Sequence, residues 1–161
     1  MFVKNFKLVE YIKQEKHFKF TENLPLITWE NVIDCFNLNI EKRQLIKVQD
    51  NFGVILHEVE LQSVQVILEQ FNRLRPNHVA SAHMYISFST QSETFGWHKD
   101  VSDVLFWQAI GSTKFLVEDN QIYEYDLQPN DLLYIPKKMK HCTIPNSPRV
   151  GISMGLDFFE N

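Results

Sequence analysis

Asn130-Asp131-Leu132-Leu133-Tyr134-Ile135-Pro136-Lys137-Lys138-Met139-Lys140-His141 is the stretch that decides the fold of this chain of 161 residues. Asn130 and Asp131 close a turn, Leu132 to Ile135 make an apolar run of strand length, and Pro136 stops it rigidly before a solitary histidine. A β-barrel that presents one imidazole at its mouth needs this order of parts. Upstream, Gly96-Trp97-His98-Lys99-Asp100 supplies two more groups. Residues i and i+2 of an extended chain point to the same side, so His98 and Asp100 can share one target. The interval from Asp100 to His141 leaves room for several short strands to return beside the first. Two histidines and one carboxylate are the facial triad that holds a non-haem Fe(II) on one side and leaves its other positions open. His-x-Asp alone is weak evidence, because such pairs also occur in turns and ion pairs. The turn, strand and stop before His141 give it weight.

Outward from this pair of segments, the pattern after Pro76 is β-like to the end. Ala80 to Phe88, Val104 to Ile110, Lys114 to Glu118, Ile122 to Tyr125, Leu132 to Ile135, His141 to Ile144 and Val150 to Phe158 are short runs rich in β-branched and aromatic residues. Turn signals divide them, among them Gly111-Ser112, Asp119-Asn120 and Pro145-Asn146-Ser147-Pro148. Before Pro76 the pattern differs. Thr28 to Phe36 begins with an N-cap residue and spaces Val32, Ile33 and Phe36 as a short helix. Leu45 to Val48 and Val54 to Leu56 flank a turn as two strands. Leu61, Val64, Leu68 and Phe71 recur at helical spacing within Glu58 to Leu74. The expectation is a mainly β fold, a jelly-roll barrel with N-terminal helices.

Size and composition fit one domain over 1–161, with the helices and strands of 1–78 packed on a barrel core over 79–161. A formal charge of −4, from 16 basic and 20 acidic residues, gives no overall basic field, so no direct nucleic-acid binding is expected. Lys4, Lys7, Lys13, Lys16 and Lys19, interrupted by Glu10 and Glu15, read as a solvated arm. Cys35 and Cys142 are too few for a disulfide framework, and no signal peptide or long apolar span is present. A soluble, cytoplasmic protein with no membrane partner is expected. Cys142 follows His141 directly, so on a strand it should point away from the triad as an ordinary buried thiol. Trp97 and Trp107 could line a substrate mouth, but core packing is the default for both. Asp103 could orient a ligand or a substrate amine, or stand as a solvated loop carboxylate. His17, His57 and His78 are expected at the surface or satisfied in the core, while His83, which shares strand parity with Tyr85, could support the site.

Met84-Tyr85-Ile86-Ser87, Gly96 to Asp100, Asp103 to Gln108, Gly111, Leu127 to Pro136, His141 and Ser153-Met154-Gly155 together resemble the cupin-like JmjC oxygenases. The nearest likeness is to the ribosomal-protein hydroxylases and the asparaginyl hydroxylase that inhibits hypoxia-inducible factor. The likeness covers roughly residues 80 to 158 and implies a double-stranded β-helix. It further implies that Fe(II) and 2-oxoglutarate bind, that a C–H bond is hydroxylated, and that succinate and carbon dioxide are released. His98, Asp100 and His141 are then the catalytic metal ligands. The ribosomal oxygenases carry additional C-terminal dimerisation and winged-helix regions, which this chain is expected to lack; a homodimer stays open.

The far carboxylate of 2-oxoglutarate demands a cation and neighbouring hydroxyls, because a buried unpaired carboxylate is very costly. In the resembling families a basic residue stands two positions after the glycine equivalent to Gly111. That position is Thr113, and Lys114 follows it. Strand alternation turns Lys114 outward unless a bulge shifts the register. Arg149, which shares parity with Ser153 on the last strand, is the competing cation and is favoured. Tyr85, Thr113 and Ser153 are the hydroxyl candidates. The resulting expectation is an Fe(II)- and 2-oxoglutarate-dependent hydroxylase of a protein side chain or a small molecule. The alternative is a non-catalytic metal-binding cupin module that serves in binding or assembly. A cupin isomerase or cosubstrate-independent dioxygenase would ordinarily show His-x-His, where this chain has His98-Lys99-Asp100.

Overall fold

The computed structural model describes residues 6–74, 78–92 and 94–158. In chain order the elements are α1 (Phe6–Lys13), β1 (Phe18–Thr21), α2 (Trp29–Glu41), β2 (Ile46–Gln49), β3 (Gly53–Leu56) and α3 (Gln62–Leu74). There follow β4 (His78–Ser87), β5 (His98–Lys99), β6 (Asp103–Ile110), β7 (Thr113–Glu118), β8 (Ile122–Leu127), β9 (Asp131–Ile135), β10 (Lys140–Pro145) and β11 (Arg149–Phe158). The strands form two antiparallel sheets. The larger runs β1-β9-β6-β11-β4-β3-β2 and the smaller β5-β10-β7-β8. This is the expected mainly β barrel with helices added at the N-terminal side.

β6 explains why the barrel has two apolar layers. Every residue from Asp103 to Ala109 is buried, so the strand is covered on both faces. Leu105 and Trp107 alternate to the outer face of the larger sheet, where Met84, Ile152 and Met154 join them under Val32, Cys35, Val64, Ile67 and Leu68 of α2 and α3. Val104 and Phe106 turn inward and meet Phe115, Val117, Leu127, Leu133 and Ile135 between the sheets. The second layer fills only part of the space between the sheets, and a cavity occupies the rest.

α2 starts where the sequence signals it. Thr28 is its N-cap, and the Asn31 N–H donates to Thr28 Oγ1 at 3.3 Å while the Thr28 N–H donates to Asn31 Oδ1 at 3.1 Å. The helix continues to Glu41, beyond the expected Phe36, because Asn39 is buried and bonds the Phe-to-Ile segment to His57 O at 2.7 Å. α3 is shorter than the expected 58–74. Glu58 takes a φ of 55°, and Val59 N–H donates to Ala82 O at 2.8 Å, so the first residues join β4 instead of a helix. Gly111 turns β6 into β7 at φ 68°, and a Cβ there would lie 2.1 Å from Pro148 O, which only glycine permits.

The solvated arm is the clearest correction. Lys4 lies outside the described residues; Lys7 and Lys13 belong to α1 and Lys19 to β1, which pairs with β9 in the register Phe18↔Tyr134 to Thr21↔Asp131. The lysine count hides an alternation: Ile12 and Phe20 are buried in the outer-face core, with Phe18 packed against it. Lys19 reaches across to Asp131 at 2.8 Å. Among the described residues no helix is long and apolar enough to cross a membrane.

Candidate metal centre

The smaller sheet brings the triad together. β5 and β10 pair with His98 directly opposite His141, and the two imidazole centroids lie 4.3 Å apart. The turn after Pro136 closes with Met139 N–H donating to Pro136 O at 3.2 Å. Lys138, at φ 63°, then donates its N–H to Asp100 O at 2.7 Å. That bond ties the segment entering His141 to the segment leaving His98. His98 Nδ1 donates to Gly96 O at 2.9 Å, and His141 Nδ1 donates to Met139 O at 3.0 Å. A carbonyl can only accept, so both Nδ1 atoms carry the proton and both Nε2 lone pairs are left for a third party.

Asp100 faces those lone pairs. Its carboxylate oxygens lie 3.3 Å from His141 Nε2 and 4.0 Å from His98 Nε2, and one ligand atom from each of the three residues falls within 4.8 Å of the others. Adjacent donors of a six-coordinate ion at about 2.1 Å stand about 3 Å apart, so a small inward movement completes the set. Burial raises the Asp100 carboxyl, and the facing His141 and His98 rings, whenever they carry a second proton at Nε2, outweigh it and hold it below its usual value. The carboxylate is ready as an anionic ligand. Two neutral imidazoles and a carboxylate suit Fe, Mn, Ni or Zn. Cys142 does not join them, because it alternates with the cavity-lining His141 and Thr143 on β10 and so faces away; burial pushes its thiol up.

The triad opens into a cavity of about 620 Å³ between the sheets. Arg149 lies in its wall and is only 6% exposed. Its Nη1 donates to Thr113 Oγ1 at 2.5 Å and its Nε to Ser87 Oγ at 3.4 Å, both hydroxyl partners. Burial pulls its guanidinium down to about 10, which still leaves it charged at neutral pH. Tyr85 and Ser153 line the same cavity, and burial together with the Asp100 charge pushes the Tyr85 hydroxyl up to about 12, so it remains an O–H donor. Thr113 is fully buried behind Arg149. Lys114 is off the cavity. β7 pairs with both neighbours in unbroken register, so Lys114 faces outward and its Nζ bonds Glu124 at 3.0 Å.

The remaining named residues fall as follows. Trp107 is buried in the outer-face core, and Trp97 lies under the Lys140 ammonium at 5.1 Å, so neither lines the cavity. Asp103 is buried and accepts the Lys137 N–H at 2.9 Å. His17 is buried against Tyr125, with Nδ1 2.6 Å from its hydroxyl. The side chain of His78 lies outside the described residues. His83 lines the cavity, as does Phe95, which the sequence pattern left unassigned; His57, expected at the surface or satisfied in the core, lines it too, because it continues the inward face of β3. Phe95 sits in a loop without periodicity, against Tyr85 and His98 at 6.0 and 5.6 Å between centroids. His57 could have been read from parity, since Ile55 pairs with Tyr85 and the next inward position is His57.

Two antiparallel sheets closed around an inward cavity define the double-stranded β-helix, the cupin-type barrel. Among solved structures, the fold is that of the ribosomal oxygenase YcfD of Escherichia coli, whose complex with cobalt and succinic acid superposes at a TM-score of 0.76 and 16% identity over 97% of this chain and 52% of that one. Its complex with cobalt and 2-oxoglutarate gives 0.75 at 15% identity, again over 97% of this chain and 53% of that one. A prolyl-4-hydroxylase of Pseudomonas putida gives 0.66 at 11% identity over 98% of this chain and 100% of that one. An RmlC-like cupin of Shewanella frigidimarina gives 0.51 at 12% identity over 74% and 88%. This chain therefore spans about half the length of the ribosomal oxygenase. No protein-family model and no curated protein sequence matches it.

Proposed function

We propose that this protein is an oxygenase dependent on Fe(II) and 2-oxoglutarate that hydroxylates a C–H bond of a protein side chain or a small molecule. The observation that carries this reading is the presence, in one cavity, of a metal-ready triad and a buried arginine with no carboxylate partner among the described residues. A desolvated guanidinium answered only by hydroxyls is costly unless an anion comes to it. A dicarboxylate with a chelating end at the triad and a free end at Arg149 satisfies both. Cobalt- and 2-oxoglutarate-bound relatives of the same fold support the choice of ligands.

In this reading His98, Asp100 and His141 hold the iron, and Arg149 holds the far carboxylate of 2-oxoglutarate. Thr113 keeps the guanidinium in place through the 2.5 Å bond, and Tyr85 and Ser153 offer hydroxyls to the same ligand. Bound there, iron and 2-oxoglutarate would supply the oxidising chemistry with dioxygen, one oxygen atom going to the C–H bond to make an alcohol and the other to 2-oxoglutarate as it breaks down to succinate and carbon dioxide. The chain's own contribution is position and dryness. The fixed Nδ1–H bonds keep both imidazoles in one tautomer and orientation, and Phe106, Phe115 and Val104 keep water from the inner wall.

The test has two arms. His98→Ala and His141→Ala each abolish stoichiometric Fe(II) binding while the β-type circular dichroism persists. Wild type with Fe(II), ascorbate and oxygen slowly converts 2-oxoglutarate to succinate, and Asp100→Ala does not. Equal succinate release from wild type and Asp100→Ala would replace this reading with the metal-binding cupin module.

A further inference from the structure

The cavity extends well past the triad. The register of β4 with β11 orders its wall, Arg149 facing Ser87, Gly151 facing Tyr85, Ser153 facing His83 and Gly155 facing Ser81. At about 3.4 Å per residue, Gly155 stands roughly 20 Å along the strand from Arg149. The triad lies between these ends. Asp100 acts on Tyr85 on one side, and on the other Ser102 comes within 3.9 Å of the position a Cβ on Gly155 would take. Beyond Ser153 the wall consists of His83, Ser81, Ser102, Gly155 and His57.

His57 is fixed firmly there. Its N–H donates to Leu45 O at 3.1 Å and its O accepts from Asn39 Nδ2 at 2.7 Å. It extends the β3–β4 register by one residue, to a position opposite His83, and the two rings meet edge to face at 4.8 Å. Its Nε2 is buried and has no hydrogen-bond partner among the described residues. His57 lines the cavity, and a small turn of its ring would bring this buried, unpaired atom to an occupant that pairs it. Burial and the Lys47 charge lower the basicity of this imidazole against the opposing pull of Glu58, so it is uncharged at neutral pH and offers one donor and one acceptor.

We propose that this far end of the cavity is the substrate subsite, with His57 as its specificity-determining residue, and that it admits an uncharged hydrogen-bonding group, an alcohol or an amide, and rejects cationic groups. Among the described lining residues Asp100 is the sole carboxylate. With a divalent ion in the triad and a dianion spanning to Arg149, the charges of the lining residues and ligands cancel. An ammonium or guanidinium entering this end would lose its water and gain no counter-charge. Gly155 leaves open the space that a side chain would fill, while Ser81 and Ser153 supply further hydroxyls. The inference rests on the oxygenase reading for calling the occupant a substrate.

Ligand-observed NMR with propionamide and propylammonium, fragments of similar size and opposite character, tests it on the zinc-loaded protein with and without N-oxalylglycine. Propionamide binds wild type, His57→Leu weakens it at least threefold, His57→Gln retains it, and propylammonium shows no binding until His57→Glu supplies a carboxylate. Failure of propionamide to bind, equal binding of propylammonium to wild type, or indifference of propionamide to both His57→Leu and His57→Glu would overturn the proposal. If His57→Leu does not fold, the contrast between His57→Gln and His57→Glu still decides. Succinate formation is measured on the same wild-type sample. Selective propionamide binding without turnover of 2-oxoglutarate would sink the oxygenase reading alone, and turnover without selective binding would sink this inference alone.

Discussion

At the scale of single residues, Arg149 and Lys114 show how one step of strand parity separates a buried charge from a solvated one. Arg149 is held between Thr113 and Ser87 inside the barrel, and Lys114 is paired with Glu124 outside it. A charge-assisted hydrogen bond to a carboxylate in such a pocket contributes about 1.5–3 kcal/mol, a factor of roughly ten or more in binding. Arg149→Ala should therefore raise the 2-oxoglutarate dissociation constant at least about tenfold, with Lys114→Ala changing it less than about threefold. Isothermal titration with metal loaded reads both. The reverse ranking would mean that β7 changes register on ligand binding. The convergence of His98, Asp100 and His141 and this parity were legible in the sequence because strand alternation is strict. The two backbone carbonyls that fix the imidazole tautomers were not, since they depend on the local bend of the chain at Gly96 and Met139.

At the scale of elements, β1 is the piece that composition concealed. Asp131 opens β9 and holds β1 beside it, taking the Gln128 N–H at 2.9 Å, Thr21 Oγ1 at 2.5 Å and Lys19 Nζ at 2.8 Å. Burial would raise its carboxyl, but those three donors outweigh it and lower it below the ordinary 3.8. A folded value below the unfolded one gives stability that is complete above the ordinary carboxylate range and is lost as pH falls through the folded value. Asp131→Asn should therefore cost about 1.5–3 kcal/mol at pH 7, read as a melting point lower by roughly 3–10 °C. The gap should narrow as the pH drops below 3.8 and close beneath the folded value. A gap that stays constant down to pH 2 would assign the cost to packing. The strands from β4 onward were legible from alternation and turn residues. α1 and β1 were not, because eight and four residues carry too little periodic signal when their solvent face is lysine. Only the partner strand makes the Phe18-Lys19-Phe20-Thr21 alternation meaningful.

At the scale of the molecule, all three triad residues lie after residue 78, while three strands of the larger sheet and the cover of its outer face lie before it. We expect one domain, because the barrel sequence alone leaves that face bare. Met84, Leu105, Trp107, Ile152 and Met154 are fully buried there. Burying each is worth about 1.5–3 kcal/mol, so uncovering all five costs roughly 8–15 kcal/mol, as much as the whole stability of an ordinary domain. His57 would also be lost, because β3 is what places it opposite His83. Residues 79–161 expressed alone should thus give no cooperative thermal transition, bind a hydrophobic dye strongly and hold no stoichiometric Fe(II), although they contain every ligand. Co-expression with 1–78 as a separate chain should restore the transition and the metal, since the contact is non-covalent packing. A fragment of 79–161 that melts cooperatively and binds Fe(II) unaided would make the N-terminal half an accessory to an independent barrel.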